Sequence, residues 1–219
     1  MTKKIFFLSS ILFFIILILF LPLKLLVFCE QNYFSLFEKN NVYENMDMSE
    51  VKLILLNLLF FFNEEEELFY FSSDEKAHLE DVRILFKKLF LLLKVSIALL
   101  FVSLIGLYAL SKNFQDEFFK ALFLSGICSF VFLSLLFFAS LNFSITFDGF
   151  HKLFFPQGNY LFSSESLLIT LFPEKFFKDF FIRVLFGSLI LSIISVLPQL
   201  FLNKLKKWLL FFNMCFVIQ

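Results

Sequence analysis

The chain has 219 residues, 60% hydrophobic and 21% aromatic, with a mean hydropathy of +0.87. That composition excludes an ordinary soluble domain and marks an integral membrane protein. Nineteen basic and nineteen acidic residues cancel to zero net charge, so no basic surplus points to nucleic acid. Forty phenylalanines serve as general apolar filler and carry no functional assignment.

The basic head Met1-Thr2-Lys3-Lys4 precedes an apolar run over 5–28, interrupted only by Ser9, Ser10, Pro22 and Lys24. At about 1.5 Å per residue, a helix of this length crosses a hydrocarbon core of roughly 30 Å. The residues before Cys29 are not small, so the run reads as an uncleaved signal anchor with its N-terminus in the cytoplasm. Segment 29–85 then lies outside; it holds thirteen acids against four Lys and Arg. Within it, Asp47-Met48-Ser49 caps a helix over 50–62 with Val51, Leu55, Leu58 and Phe62 on one face. This helix is too short to span and is expected at the membrane interface or packed over the bundle. Residues 64–67 form a solvated acidic turn, and 68–71 a short strand or extended lead-in to the next helix.

Ser72-Ser73-Asp74-Glu75 has the capping-box pattern, in which each side chain answers the other's backbone N–H, so a helix begins there. No Gly or Pro interrupts it before Gly106, and it runs into a second span at 89–110. Lys87, Lys88 and Lys94 at its outer end snorkel to headgroups. A cytoplasmic turn at 111–117 leads to a third span at 118–141 and a second exterior segment, 142–178. Pro173-Glu174 starts the fourth helix, with its span at 179–202, and Asn203-Lys204-Leu205-Lys206-Lys207 anchors its end in the cytoplasm. The expected fold is an all-α membrane protein: one integral membrane domain over 1–219, four transmembrane helices, a small extracytoplasmic cap, and both termini cytoplasmic.

On the capped helix, Glu75, His78 and Asp81 recur every three residues and share a face. Carboxylates so placed fix the imidazole tautomer and favour its protonated form, which suits the ring to proton transfer near neutral pH. The plainer reading is a solvated histidine on a charged helix. His151, the second of the chain's two histidines, lies just past the third span in Phe147-Asp148-Gly149-Phe150-His151-Lys152-Leu153-Phe154-Phe155-Pro156, and Asp148 precedes it by three. The topology puts both rings on the same side of the membrane.

These two blocks, FSSDEKAHLEDVRILF and FDGFHKLFFPQGNYLFSSESLLITLFPEKFFKDF, resemble the bacterial lipoprotein intramolecular transacylase (Lit) family over essentially the whole chain. The resemblance implies a multi-pass protein of the bacterial cytoplasmic membrane with an extracytoplasmic site. There the sn-2 acyl chain of a lipoprotein's S-diacylglyceryl cysteine moves to that cysteine's α-amino group. The partners implied are the diacylglyceryl-modified lipoprotein and membrane lipids; a monomer is the expected state, and no cofactor or metal is called for. The family's important histidines fall on His78 and His151; beside them Glu75 and Asp81 are candidates to orient His78, and Asp148 and Tyr160 are candidate supporting residues. Tyr160 departs from the tryptophan expected in many relatives, so the details of that pocket wall do not carry over.

Aminolysis of an ester needs a base for the amine proton and an acid for the departing alkoxide. Two imidazoles can divide those roles, and the residues leave open which takes which. Acceptor and donor are covalently joined, so no serine or cysteine nucleophile is required. Three alternatives stand beside this reading. Glu75-x-x-His78 and Asp148-x-x-His151 could be half of a metal site, which would need further inward acids. Cys29 could carry the acyl group, although cysteines placed like Cys29, Cys128 and Cys215 are usually inert. Four apolar helices with a cap could also be a scaffold without catalysis.

Overall fold

The computed structural model describes residues 1–44 and 46–216, with side chains as far as Leu202 apart from Asn45. The side chains of the basic anchor at 203–207 and of Cys215 lie outside the described residues. All regular structure among the described residues is helical: α1 (Thr2–Val27), α2 (Glu30–Lys39), α3 (Met48–Phe62), α4 (Ser73–Leu110), α5 (Phe114–Ala139), α6 (Phe143–Phe154), α7 (Leu167–Leu171) and α8 (Glu174–Phe216). Four helical runs are long and apolar enough to cross a membrane: Thr2–Val27, Ser73–Leu110, Phe114–Phe154 and Glu174–Leu202. They contain the expected spans at 89–110, 118–141 and 179–202 and match the one at 5–28 to within a residue at its end.

The third run departs from the expected loop after 141. A short 3-10 turn at Ser140–Asn142 joins α5 to α6, which continues the helix to Phe154. Thr146 Oγ1 donates to the Ala139 carbonyl at 2.6 Å and satisfies an acceptor at this junction. Phe143, Phe147 and His151 recur every four residues, with Phe143 and His151 buried, so α6 has a face to pack. Gly149 stays within the helix rather than breaking it.

The chain divides into two compact units. The first comprises residues 1–21, 93–135 and the chain from Phe186. Small residues let its helices approach closely, as membrane helices require where apolar burial gives no preference for protein over lipid. Ser9 and Ser103 share a hydrogen bond of 2.8 Å, and Ser192 Oγ donates to the Gly126 carbonyl at 2.7 Å. Lys3 pairs with Glu117 at 2.7 Å.

The second unit, residues 22–92 and 136–185, holds a dense aromatic and aliphatic core. Tyr33 and Phe37 of α2 pack against Phe172 and Phe176 at ring-centroid distances of 5.6–6.4 Å. α3 starts at its expected cap, where the Ser49 N–H donates to Asp47 Oδ2 at 2.9 Å. It buries Val51, Ile54, Leu55, Leu58, Leu59 and Phe61, a broader face than the expected stripe, and so belongs to this core rather than to an exposed surface. Asn57 anchors the adjoining acidic turn: its Nδ2 donates to the Glu67 carbonyl at 2.8 Å and its Oδ1 accepts the Phe69 N–H at 3.1 Å. Residues 64–67 are exposed, as expected, and 68–71 form no strand.

Candidate active site

Every residue singled out in the sequence for chemistry falls in the second unit. The capping box forms as its pattern requires: the Ser72 N–H donates to Glu75 Oε2 at 2.8 Å, and the Glu75 N–H to Ser72 Oγ at 3.4 Å. The other oxygen, Oε1, accepts the Leu168 N–H at 2.8 Å, in the first turn of α7. Glu75 is only 3% exposed, and both its oxygens are thus engaged by backbone amides.

One turn further along α4 stands His78, 6% exposed and so buried rather than solvated. His151, from α6, is 9% exposed. Their rings lie near parallel at 21°, with centroids 6.1 Å apart. Phe155 and Phe162 meet the His78 ring edge-on at 4.9 and 5.6 Å, and Phe147 and Tyr160 flank His151 at 4.3 and 4.9 Å. An aromatic box thus holds two imidazoles drawn from helices over seventy residues apart.

The His151 tautomer follows from its partner. Nδ1 lies 2.8 Å from the Phe147 carbonyl, and a carbonyl oxygen can only accept, so Nδ1 carries the hydrogen and a neutral ring keeps its lone pair on Nε2. His78 Nδ1 is buried and closes no hydrogen bond. The His78 ring lies ahead of the 89–110 span, and burial pushes its pKa below the usual imidazole range, with the nearby His151 acting the same way. Asn159 and Asp81 pull in the opposite direction without reversing the sum. The sequence expectation that flanking carboxylates favour the protonated ring is therefore corrected: desolvation by the aromatic box outweighs Asp81, and Glu75 is bonded to backbone amides.

Asp81 is held from a distant loop. Its Oδ2 accepts from Gln157 Nε2 and from Asn159 Nδ2, each at 2.6 Å. α6 ends at Phe154, and the Gly158 N–H donates to the Phe155 carbonyl at 3.0 Å, closing a turn with Pro156 second and Gly158 fourth, the positions those residues favour. Gly158 has φ +79°, which glycine adopts without strain. The turn delivers Gln157 and Asn159 to one carboxylate oxygen. The sequence pattern alone assigns Asn159 no role; the Pro156-x-Gly158 turn just past the His151 helix is the available signal.

Asp148 is exposed and pairs with Lys152 at 2.6 Å. Tyr160 lies against His151. Cys29 and Cys128 are exposed free thiols. Among the described residues, no group of three or more His, Cys, Asp and Glu gathers in a way that could hold a metal ion.

Four membrane-crossing helical runs and a buried pair of stacked imidazoles define a polytopic membrane protein with a histidine-centred candidate site. The family model described as lipoprotein intramolecular transacylase Lit matches residues 7–177. The chain belongs to the Lit family. Its fold is also that of in meso structures of the membrane-integral lipoprotein intramolecular transacylase Lit from Bacillus cereus. One matches at TM-score 0.83 and 22% identity, covering 94% of this chain and 98% of that one. Two others carry histidine substitutions; both match at TM-score 0.77 and 21% identity, covering 94% of this chain and 94% and 96% of theirs. No curated protein matches the chain.

Proposed function

We propose that this protein moves the sn-2 acyl chain of a lipoprotein's S-diacylglyceryl cysteine to the α-amino group of the same cysteine, with His78 and His151 as the proton-transferring groups. The observation that carries the reading is the pairing of two buried imidazoles, 6.1 Å between centroids, in a chain of the Lit family. Membrane lipids surround the spans, and the site faces the extracytoplasmic side of a bacterial cytoplasmic membrane, the side indicated by the basic residues of the N-terminal head.

The reaction forms a C–N bond, breaks the ester C–O bond and carries one proton from nitrogen to oxygen. His151, with Nδ1–H committed to Phe147, offers Nε2 as the base for the attacking amine. The pair takes up one proton from the amine while the tetrahedral adduct exists. That proton returns through His78 to the departing glyceryl oxygen. A pKa held low by burial makes protonated His78 a stronger acid than ordinary imidazolium, which favours release. Donor ester and acceptor amine share one cysteine, so their covalent proximity replaces a nucleophilic side chain.

The test is expression of the full chain in a bacterium whose lipoproteins are diacylated, followed by mass spectrometry of a lipoprotein N-terminus. Wild type is expected to yield N-acyl lyso-lipoprotein, and His78→Ala and His151→Ala at most traces. Near-normal product from either variant removes that histidine from the mechanism, and no N-acylation by wild type rejects the activity.

A further inference from the structure

The geometry points to Asn159 as the positioning residue of His78: its carboxamide, pinned by Asp81, presents Oδ1 to the imidazole and fixes which ring nitrogen carries the hydrogen. This rests on the proposed transacylase reading. Three observations carry it. Asn159 Nδ2 donates to Asp81 Oδ2 at 2.6 Å, which commits the donor end of the amide and leaves the oxygen as its free end. Asn159 Oδ1 and His78 Nδ1 are both buried, and neither closes a hydrogen bond in the structure. A buried polar atom without a partner is costly, and two of them on neighbouring side chains satisfy each other once the ring nitrogen bears a hydrogen. Finally, Asn159 acts on His78 in the sense that a hydrogen-bond acceptor would, favouring the protonated ring.

The arrangement has a chemical consequence. With Nδ1–H turned to Asn159, a neutral His78 keeps its lone pair on Nε2, the tautomer that His151 adopts through the Phe147 carbonyl. Both rings then hold Nδ1–H fixed by an oxygen acceptor and leave Nε2 for the substrate. Besides its charge, which favours the protonated ring, Asp81 acts through the amide, polarising the carboxamide so that Oδ1 accepts more strongly. Gln157 Nε2, also at 2.6 Å, holds the same carboxylate oxygen from within the turn. The remaining groups facing His78 are His151, Phe155 and Phe162; the charges of Asp148 and Lys152 are spent on each other.

The experiment compares wild type, Asn159→Ala, Asn159→Asp and Asp81→Asn as full chains in detergent. Titration of His78 is followed by NMR of labelled histidine, alongside the pH profile of acyl transfer. Asn159→Ala should move the His78 titration and the acidic limb of the profile to lower pH and reduce turnover on the order of ten- to a hundredfold. The near-isosteric Asn159→Asp places an anion at the ring and should move both to higher pH. Asp81→Asn should shift them in the same direction as Asn159→Ala, by less. An unmoved His78 titration in both Asn159 variants overturns the assignment, whatever happens to turnover. Should wild type transfer no acyl group, the transacylase reading fails, and the NMR titration still decides the role of Asn159.

Discussion

Glu75 and Leu168, ninety-three positions apart in the chain, are joined by a buried hydrogen bond of 2.8 Å from the Leu168 N–H to Glu75 Oε1. Because Oε2 accepts the Ser72 N–H, one carboxylate serves the starts of α4 and α7 together. Glu75→Ala strands two backbone donors, one in a fully buried setting, at a cost of about 2–4 kcal/mol. Thermal unfolding in detergent should register this as a drop of several degrees, while the His78 titration stays where it is. A Glu75→Gln protein whose His78 titration moved would show the carboxylate acting on the imidazole, contrary to its bonding.

The coupling of the two imidazoles gives a signed expectation for pH. Burial and His151 both lower the His78 pKa. The folded value lies below an unfolded value of ~6.5, so stability from this group is full above that pH and is lost as pH falls through the folded value. Replacing His151 with Phe keeps an aromatic wall and removes the nearby charge. His78 should then titrate at higher pH, and the acid-induced loss of stability should shrink. NMR of labelled histidine reads the first effect and denaturation across pH 5–7 the second; a titration that stayed put or fell would mean that the rings do not sense each other.

Much of this was legible along the chain. Ser72-x-x-Glu75, Asp47 and Pro173-Glu174 set helix starts by local hydrogen bonding and backbone preference, and each helix begins where those residues stand. The spans follow from apolar length alone. By contrast, α2 has only ten residues and mixed polarity, and its buried face exists because Tyr33 and Phe37 meet α8, a contact no local pattern announces. The same holds at the site: the spacing of Glu75, His78 and Asp81 put them on one helix face, yet what each carboxylate bonds is decided by segments 157–159 and 167–168. Burial of His78, which reverses the expected direction of its titration, likewise comes from Phe155 and Phe162.

Asn57 offers a test of how the acidic turn is held. It is 5% exposed, and its side chain bonds the Glu67 carbonyl, the Phe69 N–H and, at 3.3 Å, Glu66. Asn57→Leu preserves volume but leaves those backbone groups without partners, and should cost about 2–4 kcal/mol. Limited proteolysis should show cleavage within 64–69 rising sharply over wild type. Resistance equal to wild type would mean that the turn holds its shape without Asn57.

Two helical glycines make opposite predictions from the same substitution. At Gly126 an added Cβ would stand 2.8 Å from the Ser192 carbonyl oxygen and from Val196 Cγ2, so α5 and α8 must part for it to fit. Gly126→Ala should therefore destabilise by about 1–3 kcal/mol, the usual range for overpacking. At Gly149, in α6, nothing lies within 4 Å of the added atom. There the methyl group only restricts the unfolded chain and favours the helix, so Gly149→Ala should stabilise by about 0.5–1 kcal/mol. Thermal unfolding of both variants in one detergent compares them directly. Equal shifts of the same sign would show that close approach at Gly126 does not govern that packing.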